Sequence, residues 1–141
     1  MVKEISKWLK RTFFINSIVS LVFGVFLFFL VEVYLRWLGK SFQPPFAIGG
    51  FFGGALLAFA SASFLAWQQT EWEKVKIVVI VNIVWNLLGT YIFFFNVIVG
   101  LTLYGLLPHP MNLIHLIIFF GFLVAFIFFY IQHEKERVVS N

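Results

Sequence analysis

Of 141 residues, 62% are hydrophobic, 11% are charged and 21 are Phe. A water-soluble domain of this size needs far more charge to cover its surface, so the composition excludes one and points to a single all-α membrane domain. With no Cys, disulfides, thiolate chemistry, iron–sulfur clusters and zinc–cysteine sites are excluded, and the formal charge of +4 lies beside apolar segments, a pattern suited to anionic lipid headgroups rather than nucleic acid.

A helix needs about 20 apolar residues to cross the hydrocarbon core, and four segments qualify: 12–34, 46–67, 74–98 and 112–131. The first follows the basic stretch "MVKEISKWLKR". Its apolar run is too long for a signal peptide and no small-x-small cleavage site follows, so it reads as a retained signal anchor. In "GKSFQPP", Gly39 is a C-cap candidate, and Pro44 and Pro45 open the second helix. "QQTEWEK" sets Thr70 and Glu73 at capping-box spacing, which starts the third helix in the interface. "YGLLPHPMN" ends that helix and offers Asn112 as the N-cap of the fourth.

Lys3, Lys7, Lys10, Arg11, Lys74, Lys76, Lys135 and Arg137 fall on the side of the termini and second loop, against Arg36 and Lys40 on the other. That bias predicts a multi-pass protein of the cell membrane with both termini cytoplasmic. Trp8, Trp37, Trp67 and Trp72 fall near predicted interfaces, where indole keeps its N–H wet. His133 falls in the cytosolic tail.

The expected fold is a compact four-helix transmembrane bundle. An offset of 66 residues aligns "INSIVSLVFG" with "VNIVWNLLGT", pairing Asn16 with Asn82, Ser20 with Asn86, Gly39 with Gly105 and Pro44 with Pro110. One reading is two tandem hairpins related by an axis along the membrane normal, a parallel pseudo-repeat. The other is chance likeness between two apolar segments, since the glycines of helix 2 have no counterpart in helix 4.

At 100° per residue, Asn82, Asn86, Gly89, Phe93, Asn96 and Gly100 fall on one stripe of helix 3. Such a stripe faces the bundle, with Asn16 and Ser20 of helix 1 as the natural partners. It serves either as interhelical glue or as a slot for a lipid headgroup, quinone or small solute. In helix 2, "GGFFGGALLAFASAS" overlaps two GxxxG pairs, and Gly49, Gly50, Gly53, Gly54 and Ala58 form a close-packing face. Glu32 precedes Arg36 at ion-pair spacing. Glu32, His109 and His115 share the outer side and form a speculative proton or ion site. The abundant Phe reads as lipid-facing filler.

No catalytic constellation, phosphate-binding loop or haem pair is visible, so no cofactor, metal or enzymatic activity is expected. The leading expectation is a non-enzymatic membrane protein acting by helix packing, as a subunit or self-associating unit, with membrane lipids, itself or another membrane subunit as partners. The alternative is a small-solute or lipid-binding or transport protein using the Asn face of helix 3. A membrane-embedded enzyme ranks third.

Overall fold

The structure is a computed structural model that describes residues 4–33, 46–104 and 110–139. Among the described residues its long helices are α1 (Lys7–Phe29), α2 (Phe46–Gln68), α3 (Trp72–Tyr104) and α4 (Pro110–Val139). All four contain a stretch long and apolar enough to cross a membrane, so the chain is a multi-pass membrane protein folded as a four-helix bundle.

Several helices overrun the predicted spans, because an apolar run marks only the hydrocarbon crossing. α1 begins at Lys7 rather than near residue 12, capped by Ser6, whose hydroxyl accepts from the Leu9 N–H. α3 has 33 residues and is about 50 Å long at 1.5 Å per residue, well beyond the ~30 Å core. Two expected caps differ. α3 starts at Trp72, leaving Thr70 outside the helix, where its carbonyl accepts from the Ile5 N–H at 2.8 Å. α4 starts at Pro110, so Asn112 lies inside it. Proline suits that first turn because its missing N–H would have had no helical partner. Gly39, Pro44, Pro45, Arg36, Lys40, Trp37 and Gly105 lie outside the described residues.

α1 packs extensively against α2, and α3 against α4, whereas α1–α4 and α2–α3 contacts are far sparser. The bundle is therefore two antiparallel hairpins set side by side. Glycine sets how closely each hairpin closes. A Cβ at Gly53 would lie 2.5 Å from the Phe28 nitrogen and 2.7 Å from its Cα, so α2 rests on the main chain of α1. In the second hairpin a Cβ at Gly89 would overlap the ring of Phe119, which fills that notch.

The hairpins join at the end that bears the termini. Leu9 and Phe13 of α1, Ala66 of α2, Val75 and Val79 of α3, and Phe126 of α4 form a buried cluster there. Phe13 and Phe126 meet with ring centroids 5.5 Å apart. Trp72, predicted as a wet interfacial indole, is buried instead. It stacks on His133 at 4.7 Å and its Nε1–H donates to the Glu134 carboxylate at 3.0 Å. That carboxylate also pairs with Lys76 at 2.8 Å, so the indole N–H is satisfied by protein rather than water. His133 is likewise no tail residue. It lies within α4, is 2% exposed, and its Nε2 accepts from the Ser6 N–H at 3.4 Å.

The outer surface carries exposed Phe29, Phe51, Phe94, Phe95, Phe120 and Phe128, the apolar coat that hydrocarbon solvates. Toward the middle of the bundle, α1 buries Leu9, Phe13, Asn16 and Ser20, and α3 buries Val75, Val79, Asn82 and Asn86. These are the same four positions at an offset of 66 residues.

Candidate functional site: a cavity between the hairpins

One turn beyond the apolar cluster, the packing becomes polar. Asn16 of α1 uses its amide nitrogen twice, donating to Ser63 Oγ on α2 and to Asn82 Oδ1 on α3, each at 2.8 Å. Ser17 adds a bond to the Ala60 carbonyl at 2.9 Å. Three helices are thus tied at one level.

The orientations of these amides follow from the backbone. A helix carbonyl can only accept, so the Asn82 atom 2.9 Å from the Val78 carbonyl must be its nitrogen. Its Oδ1 is then the atom facing Asn16, which requires the Asn16 nitrogen there and turns the Asn16 oxygen away. Asn86 obeys the same rule: its nitrogen donates to the Asn82 carbonyl at 2.7 Å, leaving its Oδ1 unused by the helix.

Beyond this polar layer the hairpins part and line a half-open cavity of about 380 Å³. The volume falls within the range of small-molecule sites, about 300–1,000 Å³. All four helices contribute to its wall. Asn16, Ser20 and Asn86 lie at the deep end, and the sides include Phe23, Trp85 and Phe93. Trp85 is held by Phe59 of α2, with ring centroids 4.6 Å apart. His115 of α4 enters the wall between Phe23 and Phe93, its ring centroid 4.8 Å from each. Its Nδ1 lies 2.5 Å from the Met111 carbonyl and must be the protonated nitrogen, because that carbonyl can only accept.

The expected polar stripe divides into separate roles. Asn82 belongs to the tie between helices, Asn86 and Asn96 line the cavity with Gly89 and Phe93, and the Asn96 amide donates to the Ile92 carbonyl at 2.8 Å. Asn16 bonds Asn82, whereas no bond joins Ser20 to Asn86, and both turn to the cavity. On α2, Gly53 faces α1 while Gly50 has nothing within 4 Å and Gly54 meets only the Phe28 ring edge at 3.8 Å. Ala58 is exposed, and the surroundings of Gly49 lie outside the described residues.

The outer-side trio is dispersed in its described members. His115 is buried in the cavity wall, Glu32 is exposed and does not line the cavity, and His109 lies outside the described residues. Among the described residues no three His, Asp or Glu side chains cluster as a metal site would. Ser63, the third member of the tie, and Trp85 went unremarked in the sequence. A depth count along α2 from Gln68 could have raised Ser63 to the level of Asn16, but nothing marks Trp85. Comparison with protein-family models, curated proteins and solved structures gives no match to this chain.

Proposed function

We propose that this protein is a non-catalytic membrane binding protein, or carrier, for a small apolar molecule held between its hairpins. The observation that carries this reading is the cavity of about 380 Å³, walled by all four helices and closed at one end by the Asn16–Ser63–Asn82 tie. A bundle acting by packing alone has no use for such a void, since unfilled apolar volume forfeits dispersion contacts. The Lys and Arg bias supports a cell-membrane setting with both termini cytoplasmic. The glue reading of the asparagines accounts for Asn16 and Asn82, but not for Ser20 and Asn86.

The test is native mass spectrometry of the full chain released from lipid, alongside a variant in which Val19→Phe and Ile118→Phe fill the cavity. The expected result is a small apolar adduct on the natural chain that the filled variant lacks while keeping its thermal stability. An adduct-free natural chain, or an adduct that survives filling, would refute the reading.

A second reading, self-association or assembly with another membrane subunit, draws on Gly50, where an added Cβ would meet nothing within 4 Å among the described residues, and on exposed Ala58. The same spectra report copy number. Mostly dimeric or hetero-oligomeric species that revert to monomer in Gly50→Leu would support it, and a monomer throughout would end it.

A further inference from the structure

We infer that the cavity selects a neutral alcohol, an apolar body with one hydroxyl, bound with that hydroxyl against Asn16, Ser20 and Asn86. This rests on the binding reading above and adds the chemistry of the ligand's head.

Asn16, Ser20 and Asn86 are 4%, 6% and 2% exposed, so each is more than nine-tenths buried. Their side-chain bonds are few: Asn16 spends both amide protons, on Ser63 and Asn82, and Asn86 spends one of its two on the Asn82 carbonyl. Asn16 Oδ1, Asn86 Oδ1 and Ser20 Oγ receive or make no hydrogen bond within the described residues. Yet no fully sealed side-chain nitrogen or oxygen among the described residues lacks a partner. The three oxygens therefore open onto space, and the space they line is the cavity.

Their chemistry specifies a donor. Two amide oxygens can only accept, and the serine hydroxyl can accept or donate. A head that only accepts, such as a ketone, ether or ester, can use Ser20 and the second amide proton of Asn86, but leaves both amide oxygens bare. A carboxylate or phosphate would set its charge against them. An ammonium has donors to spare, but among the described residues no carboxylate lines the cavity to balance its charge, and an unpaired buried charge is costly. A hydroxyl donates once and accepts once, so it can donate to an asparagine oxygen and accept from Ser20. Apart from Asn96 and His115, the remaining wall, with Phe23, Trp85 and Phe93 among it, is apolar and takes an apolar body. A pocket built around hydrogen bonds discriminates strongly against an analogue lacking the donor, because its own polar groups are then left unpaired.

The experiment titrates undecan-1-ol, its methyl ether, undecane and undecylamine against the full chain in phospholipid nanodiscs, with empty discs as the partition blank. Bound fraction is read by native mass spectrometry. The alcohol should bind about tenfold more tightly than the ether, the equivalent of one to three neutral hydrogen bonds. Ser20→Ala with Asn86→Leu leaves only the Asn16 oxygen and should cut the alcohol's advantage over the ether to about twofold. Ser20→Ala alone removes one oxygen without reshaping the bundle, and should lose about threefold. Equal binding of alcohol, ether and alkane, abolished by the Val19→Phe and Ile118→Phe filling, would overturn the head-group assignment while leaving the binding reading intact. Amine binding tighter than alcohol would also overturn it. No saturable binding of any of the four compounds would overturn both.

Discussion

Replacing Gly53 by Ala adds one methyl group where α2 touches the main chain of α1. Built on the backbone, that carbon stands 2.5 Å from the Phe28 nitrogen and 2.7 Å from its Cα. Ordinary carbon–carbon contact is about 3.5–4.0 Å, so the helices must separate locally by about 1 Å. The neighbours are backbone atoms of a helix and cannot rotate away as a side-chain end could. Overpacking of this kind costs about 1–3 kcal/mol, and the parting also strips contacts from the most extensive seam in the molecule. Against this runs the helix propensity of Ala over Gly, about 1 kcal/mol in its favour. The net loss should be about 1 kcal/mol. Gly50→Ala serves as the matched control, because a Cβ there meets nothing within 4 Å and only the propensity gain remains. Reversible unfolding in mixed micelles, with both variants measured beside the natural chain, should give Gly53→Ala less stable and Gly50→Ala equal or more stable. Their separation should be about 2 kcal/mol. If the two variants behave alike, the α1–α2 seam does not run through Gly53.

The tie between hairpins makes a second prediction: a double-mutant cycle of Asn16→Leu and Asn82→Leu should give a coupling energy of about 0.5–1.5 kcal/mol, since the pair bonds at 2.8 Å inside the membrane domain. Additive effects would mean that the bond does not hold α1 to α3. At the terminal end, Trp72→Ala removes an indole buried between His133 and Tyr130 and should cost about 3–5 kcal/mol. Amide hydrogen exchange should quicken first at Ile5, whose N–H is held by the Thr70 carbonyl, and Trp72→Phe should do so more mildly by losing only the bond to Glu134. Unchanged exchange at Ile5 in Trp72→Ala would dissociate the indole from the anchoring of the N-terminal segment.

The four crossings were legible because the bilayer imposes a length on apolar runs, and no soluble alternative competes for a chain this hydrophobic. The approach of Asn16 to Asn82 was also legible, because amides in lipid have few places to go. Other features depend on information a periodic pattern does not hold. The four glycines that begin α2 look equivalent in sequence, yet only the hairpin's crossing geometry decides that Gly53, and not Gly50, meets a backbone. Trp72 and His133 read as interfacial or exposed because each sits among charged residues. Burial came from their meeting across α3 and α4, a contact between residues 61 apart. The cavity was least legible of all. A void is set by how far two hairpins splay, and Phe23 or Phe93 beside a void has the same sequence surroundings as Phe facing acyl chains.

The 66-residue offset also accounts for the polarity of the cavity floor. Asn16 and Asn82, which that offset pairs, meet each other. Their counterparts one turn farther on, Ser20 and Asn86, face the gap where the hairpins diverge. A strictly symmetric asparagine pair would exchange two amide hydrogen bonds and leave little to offer a ligand. Here the symmetry is broken on the neighbouring helices. Ser63 of α2 gives Asn16 a second acceptor, whereas the position 66 residues further along, Phe129 of α4, gives Asn82 none. Asn82 therefore turns its nitrogen to the Val78 carbonyl of its own helix, and its oxygen takes the Asn16 proton. Asn16, with both amide protons committed, is left with an oxygen directed away from the tie. One serine opposite one phenylalanine thus converts a self-satisfied pair into an acceptor. With Ser20 and Asn86 beside it, that acceptor makes the deep end of the cavity a place where a single hydroxyl is better accommodated than hydrocarbon.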